Sequence, residues 1–135
     1  MGFDGGERNR NMKKIYALKV TKSTPNGETL RKVFKQLSAS YSVEECFPGT
    51  SILNNVTAIL TVCEGYKIGI ETQGGNHSRL AESLQKFKEK GCSLIFCSCM
   101  KSGATVDLVK KMEPEYEVRF VEDISPDALV REAVN

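Results

Sequence analysis

The chain has 135 residues, 40% hydrophobic and 27% charged, which suits one compact soluble domain with its own core. A net charge of +2, with no basic stripe interleaved with aromatics, argues against nucleic acid; the longest apolar runs, such as Leu94-Ile-Phe-Cys-Ser-Cys-Met100, fall far short of a membrane span. Five cysteines, an odd number, without a secretory signal point to reduced thiols and a cytoplasmic setting.

Residues 1–11, MGFDGGERNRN, are polar and glycine-rich and lack the apolar stretch of a signal peptide. They are expected to be a disordered tail or non-native upstream sequence, with one α/β domain over residues 12–135. Residues 15–20, Ile-Tyr-Ala-Leu-Lys-Val, are short, apolar and β-prone, which predicts a buried strand. Residues 21–27 carry Pro25, Asn26 and Gly27 and are expected to form a loop. Leu30, Val33, Phe34 and Leu37 then recur with the period of a helix that buries one face. Residues 42–46 suggest a short strand, and residues 47–54, with Pro48 and Gly49, a loop. Residues 55–63 and 66–72 predict two strands around Glu64-Gly65, an antiparallel hairpin.

Gly74-Gly-Asn-His-Ser78 is a second loop. Leu80, Ala81, Leu84 and Phe87 mark a second helix, stopped at Gly91. Residues 93–99 are apolar throughout, as in a strand covered on both faces. Lys101-Ser-Gly-Ala-Thr105 is a third loop, followed by a short helix through Val106, Val109 and Met112. Residues 116–121 alternate as a half-buried strand, and Ser125-Pro126-Asp127 supplies an N-cap, a proline at the first helical position and an acidic first turn.

Strand, loop and helix thus alternate repeatedly. This predicts a three-layer α/β sandwich with a mostly parallel sheet of five to six strands, including one antiparallel hairpin. In such sheets ligands bind beyond the carboxyl ends of the strands, where the loops at residues 21–27, 73–76 and 100–105 should lie.

The first loop sits in Lys22-Ser-Thr-Pro-Asn-Gly-Glu-Thr29, between a strand and a helix. It has the length, central turn and final threonine of the G-x-x-x-x-G-K-[ST] loop, whose backbone amides and helix N-terminus hold phosphate. On these residues the chain resembles the P-loop NTPase superfamily, as a small member with a degenerate Walker A loop. The resemblance assigns the second glycine to Gly27 and the magnesium-holding hydroxyl to Thr29. Lys22 replaces the first glycine and Glu28 the lysine. A carboxylate about 4 Å from a phosphate charge, at an effective dielectric near 20, costs on the order of 4 kcal/mol. The acidic side is also poor: no Asp follows residues 66–72, which run into Gln73-Gly74-Gly75, or residues 93–99, which run into Met100.

The candidate phosphate-binding set is therefore Lys22, Asn26, Gly27 and Thr29 from the first loop, Gly74, Gly75 and Arg79 from the second, and Lys101 and Ser102 from the third. His77, the sole histidine, is an acid/base candidate or plain surface. The C-x5-R phosphatase pattern fails, because the sixth position after Cys97 is Gly103 and after Cys99 is Thr105. Cys92, Cys97 and Cys99 lack zinc-site spacing and suit buried thiols better, so neither catalytic nor metal-binding residues are assigned.

The resemblance implies a non-hydrolytic protein that binds a phosphate-bearing small molecule or acts as a regulator, with a nucleotide as the candidate cofactor and magnesium only if a nucleotide binds. Two rivals remain: an interaction protein that uses the fold as a scaffold for a protein partner, and an active nucleotide-dependent phosphotransferase with atypical residues. No nucleic acid or membrane partner is expected.

Overall fold

The computed structural model describes residues 13–21, 26–45 and 56–134. The expectations for residues 1–12, for the loop after β2 and for Lys22 lie outside these. The elements in chain order are β1 (Lys13–Lys19), α1 (Asn26–Ser38), β2 (Ser42–Glu45), β3 (Thr57–Cys63), β4 (Tyr66–Glu71), α2 (Leu80–Glu89), β5 (Leu94–Cys99), α3 (Ala104–Lys110), β6 (Tyr116–Val121) and α4 (Pro126–Val134).

They build one six-stranded sheet in the order β2-β3-β4-β5-β1-β6. The pairs β4–β5, β5–β1 and β1–β6 are parallel, whereas β2–β3 and the β3–β4 hairpin are antiparallel. The α/β class and the mixed sheet follow the expectation from the sequence.

Side-chain alternation divides the core between the two faces of the sheet. On one face, Leu30, Val33 and Leu37 of α1 and Leu129 and Ala133 of α4 cover Tyr16, Leu18, Leu60, Ile68, Ile70 and Phe96. On the other, Leu80, Leu84 and Phe87 of α2 and Val106 and Val109 of α3 cover Ile15, Ala17, Ile59, Ile95, Cys97 and Cys99. Each fully buried Leu, Ile or Phe contributes about 1.5–3 kcal/mol, so both layers matter to stability. β5 is buried at every position because helices cover both its faces.

Local signals explain the boundaries. Gly65 has φ +83°, the left-handed backbone that a two-residue hairpin needs. Gly91, at φ +73°, lets the chain turn out of α2 while the Cys92 N–H donates to the Phe87 carbonyl at 3.0 Å, closing the helix end. Ser125 caps α4 by accepting from the Ala128 N–H at 3.1 Å. Within β4, Gly69 makes room for the Phe87 ring, whose nearest atom would lie 2.6 Å from an added Cβ.

Two details differ from the sequence reading. α1 begins at Asn26, inside the expected loop, because the Asn26 Nδ2 donates to the Leu18 carbonyl at 3.0 Å and ties the first helical residue to β1. A long-range bond overrides the turn preference of Asn-Gly. Met112 lies beyond the end of α3 yet remains buried, carried into the core by the turn that follows. Among the described residues, no helix is long and apolar enough to cross a membrane.

Candidate functional site

The topology creates one place where loops part. β1 runs into α1 on one face of the sheet, whereas its parallel neighbour β5 runs into α3 on the other. Adjacent strands whose connections leave on opposite faces open a crevice at their carboxyl ends, the usual ligand position in open α/β sheets. The two strands stay in register to the end, with Lys19 opposite Cys99 and the Val20 N–H donating to the Cys99 carbonyl at 3.1 Å.

The first turn of α1 stands on one side of this crevice. Asn26 is buried and held to Leu18, and Thr29 is buried beneath the helix. Glu28 points out to solvent. A carboxylate in the first turn suits the positive end of the helix dipole, so this residue favours the helix while opposing a bound anion. Gly27 is different. A Cβ there would make only ordinary contacts, 3.4 Å from the Arg31 Nη1 and 3.5 Å from the Thr72 carbonyl oxygen, and its φ is not left-handed. Neither packing nor backbone geometry requires glycine at this helical position, where glycine costs roughly 0.5–1 kcal/mol against alanine. At the entry to the β1–α1 segment, the Thr21 hydroxyl donates to the Asp123 carboxylate at 3.1 Å, and Asp123 itself has a left-handed φ of 53°.

Thr72 brings the β4–α2 loop against the same turn. Its carbonyl lies beside Gly27 and accepts from the Ser98 hydroxyl at 3.2 Å. The two glycines that follow separate in role. An added Cβ at Gly74 would lie 2.3 Å from the Ser98 carbonyl carbon and oxygen, so packing explains this glycine. Gly75 has nothing within 4 Å of an added Cβ and stands exposed. His77 is exposed and Arg79 half-buried at the start of α2, next to a turn in which the Ser78 hydroxyl donates to the Gly75 carbonyl at 2.7 Å.

The third loop leaves β5 under a lock: the Met100 N–H donates to the buried Thr105 hydroxyl at 2.9 Å. Gly103 adopts φ +90°, ψ −150°, a conformation open essentially only to glycine. Lys101 and Ser102 are exposed on this loop.

The cysteines of β5 are not poised nucleophiles. Burial pushes the Cys99 thiol up to about 11, against a smaller opposing pull from the Lys19 ammonium. Burial also raises Cys97, reinforced by Cys99 and Glu71. Both thiols therefore stay protonated near neutrality. None of the described cysteines, Cys63, Cys92, Cys97 and Cys99, is in a disulfide, and no cluster able to hold a metal ion occurs among the described residues. A shallow groove along the outer wall of α2, lined by Ala81, Glu82, Gln85, Lys86 and Glu89, is built from the side chains of one helix alone.

Sequence reasoning missed Glu71. It is fully buried at the last position of β4, facing α2. Its Oε1 accepts from the Thr57 hydroxyl at 2.5 Å and from the Ser83 hydroxyl, and its Oε2 accepts from the Gln73 N–H at 2.8 Å. The search for an acid looked past the strand, whereas the acid is the strand's final residue. An acidic side chain closing the apolar run Ile68-Gly-Ile70 was the available signal.

The first turn of α1, the second loop and the end of β5 thus meet beside this crevice through Gly27, Thr72, Gly74 and Ser98. The comparisons with known proteins bring no outside guide to this crevice: no family model matches the chain, and no curated protein or solved structure is significantly similar to it.

Proposed function

We propose that the chain is a P-loop-NTPase-like α/β protein that binds a phosphate-bearing small molecule at the crevice between β1 and β5 and does not hydrolyse it. The observation that carries this reading is Gly27. It is a glycine in the first turn of α1, beside the crevice, with no packing or backbone reason to be glycine. A bare backbone there leaves the amides of the helix start open to an anion. In a regulator of this kind the nucleotide is a signal rather than a substrate, and magnesium enters only with it.

The exposed Glu28 supports the absence of turnover, since it puts a negative charge where a phosphate loop carries an amine. It also supports the rival reading of an interaction scaffold, for which an acidic first turn is simply good helix chemistry. Glu28→Lys separates the two. Changing −1 to +1 beside a polyphosphate is worth several kcal/mol, on the order of 4 at an effective dielectric near 20, before desolvation and ordering reduce it. Calorimetric titration with magnesium–ATP at fixed salt should show weak binding by the wild type. Glu28→Lys should bind at least about tenfold tighter, and adding Lys22→Gly tighter still. Neither the wild type nor the variants should release phosphate above a blank. Three folded proteins that stay equally silent would leave the segment a plain strand-to-helix turn.

A further inference from the structure

Glu71 is a buried carboxylate that the proposed function leaves without a task. Its three donors come from three directions: Thr57 on the neighbouring strand β3, Ser83 on α2, and the Gln73 N–H, the first amide past Thr72 in the β4–α2 loop. All three bonds turn its oxygens into the protein. The next residues are fixed in series. Thr72 is held to Val56 on both sides, with its N–H donating at 3.0 Å and its hydroxyl accepting from the Val56 N–H at 2.9 Å. The Thr72 carbonyl meets Gly27 and Ser98, and Gly74 rests on the Ser98 backbone. One carboxylate therefore stands at the root of the segment that brings the β4–α2 loop against the N-terminus of α1.

We propose that Glu71 is the positioning residue of the crevice: by clamping β3, α2 and the Gln73 amide together, it sets where residues 73–79 stand relative to Gly27. It acts through the loop and contacts no ligand. The work is done by hydrogen-bond geometry, not by negative charge. A glutamine fits the same geometry, because its Oε1 can accept from the Gln73 N–H while its Nε2 donates two hydrogens to the Thr57 and Ser83 hydroxyls, which rotate to accept. An alanine leaves two buried hydroxyls and one amide without their partner. A magnesium ligand or general base would respond in the opposite way, since glutamine removes the charge on which both depend.

The ligand half of this inference rests on the phosphate reading above; the loop half does not. Hydrogen exchange read by mass spectrometry on the whole chain tests the loop, and titration with magnesium–ATP tests the ligand. Glu71→Ala should speed exchange of residues 73–79 by at least about tenfold, as leaving buried donors without their acceptor implies, while β1 and β5 keep their protection. Glu71→Gln should stay within about threefold of the wild type in the same segment. If Glu71→Ala does not fold, Ser83→Ala, which removes one arm of the clamp, should speed the same segment more mildly. Faster exchange spread evenly over the sheet, or a Glu71→Gln protein as loose as Glu71→Ala, overturns the assignment. Where the wild type binds magnesium–ATP, Glu71→Ala should bind more weakly and Glu71→Gln nearly as well. A wild type that binds nothing defeats the phosphate reading alone, and the exchange data still decide the role of Glu71.

Discussion

Gly27 and Gly74 stand on opposite walls of one crevice, and they are glycines for opposite reasons. At Gly74 the backbone of β5 is already in the way: an added Cβ would lie 2.3 Å from the Ser98 carbonyl. At Gly27 the space is adequate, with 3.4 Å and 3.5 Å to its nearest neighbours. One glycine is demanded by the fold. The other is tolerated by the fold at a small loss. A glycine that costs stability and solves no steric problem is the one that the proposed phosphate site would explain, and this asymmetry distinguishes the two walls.

The comparison breaks first at Gly74. Gly74→Ala forces a methyl group against main-chain atoms, which cannot rotate away as a side chain would. Overpacking of this kind costs roughly 1–3 kcal/mol, and backbone contact puts the expectation near the top of that range. Urea unfolding should show the midpoint falling at unchanged slope. A midpoint equal to that of the wild type would mean that the loop simply moves off Ser98, and the rigid wall would be lost with it.

A smaller effect is expected at Asn26, which roots the opposite wall. Asn26→Asp replaces the Nδ2 donor with an oxygen facing the Leu18 carbonyl, 3.0 Å away in a buried place. Losing the bond and setting two oxygens against each other in a buried place costs about 1–3 kcal/mol, and the helix dipole returns about 0.3–1 kcal/mol for the new negative charge. A net loss of about 1–2 kcal/mol in the same unfolding measurement is expected. A stabilised Asn26→Asp protein would show that ordinary capping, not the tie to β1, sets the start of α1.

How much of this was legible in the sequence depended on how far apart the deciding residues lie. The periodic stripe of Leu30, Val33 and Leu37, the hairpin glycine Gly65 and the stop at Gly91 act on their own neighbourhoods, and the elements they define appear where expected. The three loops could be placed at the carboxyl ends of their strands because alternating strand and helix leave little choice. The difference between Gly74 and Gly75 could not be read, since it depends on Ser98, which arrives from β5. The early start of α1 depends on Leu18 in the same way. Glu71 escaped because its partners Thr57 and Ser83 lie on separate elements, and an acid at a strand end reads locally as the beginning of a loop.

The smallest change sharpens the comparison most. Gly27→Ala adds a methyl group at ordinary contact distance in the first turn of α1 and removes the backbone freedom of glycine from the unfolded chain. Stability should therefore rise by about 0.5–1 kcal/mol, opposite in sign to Gly74→Ala. Affinity for magnesium–ATP should fall, because the added methyl group narrows the approach to the helix amides. Gly27→Val extends the series: a β-branched side chain gains less helix stability and crowds the approach further. A simple turn predicts that stability changes and that the titrations of all three proteins stay identical. A phosphate cradle predicts that stability and affinity move in opposite directions in one protein, a result that unfolding cannot produce, since a better-folded protein has more competent sites rather than fewer. Unfolding curves and titrations on the wild type, Gly27→Ala and Gly27→Val therefore decide whether the glycine in the first turn of α1 is kept for a ligand.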